Sequence, residues 1–211
     1  MEGSEKRKMT IADILESISI IVAAIAIVIG LYKWRTEYLG KRKIELAEEV
    51  LALFYEIRDI IKYIRNPFSH AGEGSTRKAS EHETPSQRKV YDRVYVLFER
   101  YDKHKEKFGK LQSLKYRYWA YFGEKSIEPF NELNNIMNEL FASAESLSHY
   151  WLERENRFNI NTNKQELENI NDNIKQNEAI FWNRFKQDTI NPQIEEVVKK
   201  IENQARKIIK P

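Results

Sequence analysis

The chain of 211 residues carries 35 Lys+Arg against 32 Asp+Glu, a net charge of +3, with no cysteine, 7 Gly and 5 Pro. Without thiols there is no disulfide scaffold, no Cys-ligated zinc or iron–sulfur site and no cysteine nucleophile, and a net charge so close to zero gives no polyanion-binding signature, so nucleic acid is not an expected partner. So few turn-formers leave few turns, and 32% charged beside 41% hydrophobic residues fit long amphipathic helices.

Residues 1–9 read as a polar N-terminal tail. From Ser17 to Tyr32 the sequence SISIIVAAIAIVIGLY is uncharged, and extension back to Ile11 adds only Asp13 and Glu16. Those twenty-two residues span about 33 Å as a helix, enough for a hydrocarbon core of roughly 30 Å. Thr10 and Asp13 have capping-box spacing, so a transmembrane helix is predicted over 10–33. Lys6, Arg7 and Lys8 precede the run and Ala24-Ile25-Ala26 imitates a cleavage site, but cleavage there would split the run, so an uncleaved signal anchor is the better reading.

Tyr32, Lys33, Trp34, Arg35, Tyr38, Lys41, Arg42 and Lys43 supply the amphipathic rings and cations expected at a membrane interface, with the lipid bilayer as partner. Five cations after the span against three before it orient the C-terminal part toward the cytoplasm. Ser19, Ala23, Ala26 and Gly30 recur at four, three and four residues, a small-residue face that suits self-association of the helix into a homo-oligomer.

Beyond the span, residues 34–158 are predicted to form a cytoplasmic helical bundle. Leu46, Val50, Leu53, Ile57, Ile60 and Ile64 repeat like a heptad, and Asn66-Pro67 stops that helix. Residues 66–86, with Gly72, Gly74, Pro67 and Pro85 among charges, read as a mobile loop. A second long helix runs through Val90, Val94, Leu97, Tyr101, Phe108, Leu111, Leu114 and Tyr118, with a break expected near Gly109. Ser126 caps a third helix with Pro129 in its first turn, whose core positions are Phe130, Leu133, Met137, Leu140, Ala144, Leu147, Trp151 and Phe158. Residues 159–211 form a C-terminal helical extension. Thr162 and Gln165 are read as the capping box for Leu167, Ile170, Ile174, Phe181 and Phe185, and Asn191-Pro192 as the start of Ile194, Val198, Ile201, Ala205 and Ile208. Such faces must bury one another. The expected fold is all-α, a single transmembrane helix continuing into an antiparallel bundle of three to four long helices.

Chemistry-bearing patterns are sparse. None of His70, His82, His104 and His149 follows a Glu or Asp at the Glu-x-x-His spacing of di-metal bundles. No zincin, Walker or nucleophile-elbow motif occurs, and no metal or cofactor is expected. Gly72 to Thr76, GEGST, lacks the strand and following helix that phosphate cradling needs. Tyr116, Tyr118, Trp119, Tyr121 and Phe122 beside Lys115 and Arg117 have the makings of a basic–aromatic surface for lipid or nucleic acid, but aromatics at helical spacing read as core, as do Phe181, Trp182 and Phe185; the basic end Lys199, Lys200, Arg206, Lys207 and Lys210 is an alternative membrane-facing surface.

Arg65-Asn66-Pro67-Phe68-Ser69-His70 has the form R-N-x-x-x-H and so resembles the motif of HEPN ribonucleases, which implies a membrane-tethered toxin or defence effector. In that case Arg65 would stabilise phosphate charge and His70 would serve acid–base catalysis. An oligomeric span that perturbs the membrane is another alternative. The stretch KWRTEYLGKRKIELAEEVLALFYEIRDIIKYIRNPF, followed by GEGSTRK and ETP, resembles bacterial single-pass membrane proteins with a cytoplasmic helical domain, over most of residues 10–155. That likeness implies the bacterial inner membrane and carries no activity. The expected function is a non-enzymatic interaction module, a scaffold or sensor that binds another protein or itself.

Overall fold

The computed structural model describes residues 11–158, 163–183 and 188–210. Among them are six α-helices and one 3₁₀ turn: α1 (Ile11–Ile64), α2 (Pro85–Asp102), α3 (Lys105–Phe122), the 3₁₀ turn Glu124–Ile127, α4 (Glu128–Phe158), α5 (Lys164–Phe181) and α6 (Ile190–Ile209). The all-α expectation is met. The chain divides into two compact units, Met1–Glu45 and Leu46–Pro211.

In the first unit, α1 is uninterrupted and all its side chains from Ile11 to Leu39 are exposed. No buried face organises this segment. Its polar side chains turn inward on the helix: Ser17 Oγ donates to Asp13 O, Ser19 Oγ to Leu15 O and Thr36 Oγ1 to Tyr32 O, which satisfies hydroxyls that an apolar medium would penalise. Thr10 and the tail 1–9 lie outside the described residues.

The second unit is built on the opposite plan. Leu46, Ala47, Val50, Leu53, Phe54, Ile57, Ile61 and Ile64 of α1 are buried. Ile61 takes the buried place expected for Ile60, which is half-buried, because neighbours on more than one side widen the covered stripe beyond a two-position seam. Salt bridges from Lys107 to Glu56 and from Lys110 to Glu49 set α3 antiparallel to α1. Gln112 with Asn134 and Lys115 with Asn131 set α4 antiparallel to α3, and Phe54 meets Phe130 edge-on at 5.1 Å between α1 and α4. Lys62 and Arg58 reach Glu195, and Lys200 reaches Glu132, which places α6 alongside both α1 and α4. α4 is the central rod, with Phe130, Leu133, Met137, Leu140, Ala144, Leu147 and Trp151 all buried, the seven-residue period expected of it. The side chain of Phe158 lies outside the described residues.

The expected second helix is real but broken earlier. The break falls at Lys103–His104, where the His104 ring stands edge-on to Tyr63, and Gly109 lies inside α3 with open space around it. Helix α2 also starts at Pro85, within the stretch assigned to the 66–86 loop. Thr84 Oγ1 accepts from Gln87 N while Gln87 Oε1 accepts from Thr84 N, a reciprocal cap with proline at the first helical position. Gly123 ends α3 at φ +84, a backbone region open to glycine, and Ser126 then donates to Gly123 O inside the 3₁₀ turn instead of capping α4.

The later caps are also one to three residues from their expected places. Asn163 caps α5 by accepting from Gln165 N, while Thr162 lies outside the described residues. Thr189, not Asn191, holds the N-cap position of α6, and Asp188 just before it satisfies the helix start, its Oδ1 accepting from both Ile190 N and Asn191 N. Ile170, Ile174 and Phe181 are buried and Leu167 is half-buried; Ile194, Val198, Ile201 and Ala205 are buried. Phe185 is outside the described residues.

The segment after α1 is fastened to α2. Gly74 N–H donates to Glu99 Oε2 at 2.8 Å, as does Thr76 Oγ1, and both guanidinium nitrogens Nη1 and Nη2 of Arg77 bind Glu83. Gly74 has φ +88, and a Cβ there would stand 2.0 Å from Asp92 O. Gly74→Ala should therefore destabilise the fold by several kcal/mol, about 2 or more. Gly109→Ala, in an open helix interior, should stabilise it by up to about 1 kcal/mol. Thermal melting of the two variants, followed by helical circular dichroism, should move in opposite directions.

Candidate functional site

Three groups of residues have the right chemistry to act: the R-N-x-x-x-H segment, the GEGST segment, and the basic–aromatic stretch after the apolar run.

Arg65 follows directly on α1 because Pro67 disfavours helical geometry at Asn66, whose Oδ1 accepts from Phe68 N instead. Its guanidinium is fully buried. Nε donates to Ile180 O at 2.8 Å, Nη2 to Ala179 O, Trp182 O and Asp188 Oδ1, and Nη1 to Asp188 Oδ2 and Asn191 Oδ1. All five N–H groups of the fork are engaged. Burial pulls its pKa below the ordinary arginine value, opposed by the hydrogen bonds and charge of Asp188. His70 is exposed, and its backbone N–H is held by Glu73 Oε2. The structure thus gives Arg65 a structural task. A guanidinium saturated by the fold offers a phosphate nothing, so the pair Arg65 and His70 lacks the geometry that the HEPN likeness implies.

Arg100 of α2 is the counterpart that sequence reading missed. It is buried to 2% exposure. Nε and Nη2 bind the two oxygens of Glu73 at 2.7 Å each, Nη2 also reaches Phe68 O, and Nη1 reaches Tyr63 O, Ile64 O and Asn66 O. These hydrogen bonds hold the Glu73 carboxyl down to about 2. GEGST is therefore a packing motif: Glu73 reaches inward to Arg100 and Gly74 lies against α2. Arg100 stands three and four residues after the apolar Leu97 and Val96, which puts it on the covered face of α2, but nothing local distinguishes it from a surface arginine.

Among the aromatic candidates, Tyr118 is core and burial pushes its phenol up to about 12; Tyr121 and Phe122 are half-buried, and Tyr116 and Trp119 are exposed. Phe181 and Trp182 are buried. Of the basic end of α6, Lys200 pairs with Glu132 and Arg206 with Glu202. Among the described residues no group of three or more His, Asp or Glu side chains is placed to hold a metal ion.

In the first unit, α1 is long and apolar enough to cross a membrane, and none of its apolar window is buried. Tyr32, Lys33, Trp34, Arg35, Tyr38, Lys41, Arg42 and Lys43 are all exposed on the helix that follows. Trp34 stacks on Tyr38 with centroids 5.7 Å apart, and Arg42 Nε and Nη2 donate to the Tyr38 hydroxyl at 3.1 and 2.7 Å. Ser19, Ala23, Ala26 and Gly30 are exposed on one face, and a side chain at Gly30 would meet nothing within 4 Å. Comparison with family models, with curated proteins and with solved structures finds no match.

The two arginines make measurable demands on stability. Arg65→Leu strands Asp188 and three carbonyls and should cost about 3–5 kcal/mol, whereas Lys62→Ala, which removes a surface pair at the same end of α1, should stay within about 1 kcal/mol; urea titration separates the two. Because Glu73 is depressed in the folded state, its contribution is complete above the ordinary carboxylate value of 4.5 and is lost as pH falls from there through about 2. Glu73→Gln should flatten the fall of thermal midpoint across that window relative to wild type.

Proposed function

We propose that this chain is a single-pass protein of the bacterial inner membrane whose helical bundle, on the cytoplasmic side, acts as a non-enzymatic interaction module, a scaffold or sensor. One observation carries the reading. The apolar run of α1 has no buried residue, whereas the core helices of a soluble protein bury such faces, and leaving all the apolar side chains of that run in water is prohibitive at about 25 cal/mol per Å². A bilayer removes that cost, and the rings and cations that follow suit its interface. The bundle's central arginines are engaged within the fold, which supports a role for its surface in binding over one in catalysis.

The test is extraction and labelling of the full chain. The protein should remain in the membrane pellet after alkaline carbonate, and release into the supernatant would overturn the anchor. With no native cysteine, Ala79→Cys on the exposed loop should resist a membrane-impermeant maleimide in intact cells and react after lysis; labelling before lysis would reverse the topology. The small-residue face supports a homo-oligomer through the span. Gly30→Leu should then weaken the crosslinked dimer band in membranes, and an undiminished band would remove that face as the contact.

A further inference from the structure

The basic–aromatic stretch has more internal order than a general attraction to lipid requires. At 100° per residue, Leu31, Trp34, Tyr38 and Arg42 share one sector of α1, with Arg35 at its edge. Along this sector the side chains form a ladder: the Trp34 and Tyr38 rings lie 20° from parallel, and the Arg42 guanidinium sits 5.3 Å from the Tyr38 ring centroid while donating twice to its hydroxyl. Lys33 faces Glu37 on the neighbouring flank and Lys41 faces Glu45, each at 4.0 Å; by the same count Glu45 stands on the ladder's own sector, three residues beyond Arg42 and further from the apolar run.

Depth follows from the rise of the helix. The Tyr38 Cα lies about 9 Å beyond Tyr32, where the apolar run ends, and a headgroup layer is about 5–8 Å deep on each side. Helical side chains lean toward the N-terminus. Tyr38 leans back over Trp34, and Arg42 leans back a full turn onto Tyr38, so the hydroxyl and the guanidinium both descend toward headgroup level. A hydroxyl that accepts two N–H bonds keeps its own proton to donate. Tyr38 O–H and an exposed guanidinium therefore converge on one place, next to two flat rings that can lie along acyl chains and glycerol. With Lys33, Arg35, Lys41, Arg42 and Lys43 against Glu37 and Glu45, residues 33–45 have a net charge of +3, which selects a headgroup with net negative charge.

We propose that Trp34, Tyr38 and Arg42 form a headgroup site for one anionic phospholipid, with Tyr38 O–H and the Arg42 guanidinium on its phosphate and the Trp34 ring against its glycerol and upper acyl chains. This rests on the membrane-anchor reading above and adds to it a specific ligand class and a specific face.

The experiment uses the full chain in mild detergent, exposed to mixtures of phosphatidylglycerol and phosphatidylcholine, with retained lipids counted by native mass spectrometry. Wild type should retain phosphatidylglycerol in preference. Tyr38→Phe should lower that preference about fivefold, the factor of one hydrogen bond worth about 1 kcal/mol, and Arg42→Gln about tenfold or more, since it removes a charge together with its directed hydrogen bonds. Lys43→Gln removes the same charge 100° further round the helix and should lower the preference by no more than about fivefold, the factor that general attraction of one cation supplies. Equal losses in Arg42→Gln and Lys43→Gln would show diffuse attraction only and overturn the site, as would an unchanged preference in Tyr38→Phe. Displacement of the retained lipid by soluble glycerol phosphate would point to a free phosphoester as the ligand and also overturn it. All these substitutions are on the helix surface, and equal helical circular dichroism confirms that each variant is folded. Carbonate extraction of the same variants separates the two readings: if wild type is released, the anchor fails, whereas if every variant stays in the membrane with wild-type lipid preference, only the headgroup site fails.

Discussion

The bundle depends on how two helix ends are closed. An α-helix finishes with carbonyls that have no partner in the helix, and inside a packed bundle water cannot supply one. Here the donors come from arginines on other elements. Arg100 of α2 serves Tyr63 O and Ile64 O at the end of α1, and Arg65, just past the end of α1, serves Ala179 O and Ile180 O at the end of α5. Asp188 completes the series by balancing Arg65 and satisfying the start of α6. Each link joins one helix end to the next, so α2, α1, α5 and α6 are locked together at one place. Burying two guanidinium groups carries a large desolvation penalty, which falls to a tolerable level only when every N–H and its countercharge are satisfied, as they are in both cases.

That constraint explains why the chemistry suggested by isolated motifs does not materialise. A phosphate-binding arginine must present donors to solvent, and the donors of Arg65 are all turned to the fold. The glycines of GEGST serve close packing: at Gly74 the backbone passes so near Asp92 O that no Cβ fits. What remains outward in the bundle is surface. In the first unit the distribution is reversed, with the apolar residues outward and the hydroxyls turned onto their own helix. Both patterns follow one rule, that a group which the surrounding medium cannot solvate must be covered or satisfied locally.

Much of this was legible in the sequence. The seven-residue period from Phe130 to Trp151 reports burial directly, since any helix with that stripe must cover it. The long apolar helical run was equally plain, because length and lack of charge are local properties. Errors gathered at element ends. Glycine is a weak helix former, so local pattern points to a break near Gly109, yet the break falls at Lys103–His104, where His104 stands edge-on to Tyr63. Asn191 lies inside α6 with its Oδ1 taken by Arg65, and Asp188 accepts from the first N–H groups of that helix instead; the start of α2 at Pro85 is hidden in a stretch whose composition reads as loop.

By itself, then, the sequence determined which segments are helical, which faces are apolar and where a bilayer-length run occurs, since these follow from neighbours within a turn or two. Only the tertiary structure decided the fate of Arg65, Arg100 and Glu73. Arg65 meets Asp188 across 123 positions and Arg100 meets Glu73 across 27. Whether a charged side chain is buried depends on what distant elements place around it, and the same arginine codon serves a solvated face or a saturated core alike; the difference lies in partners that local pattern does not contain.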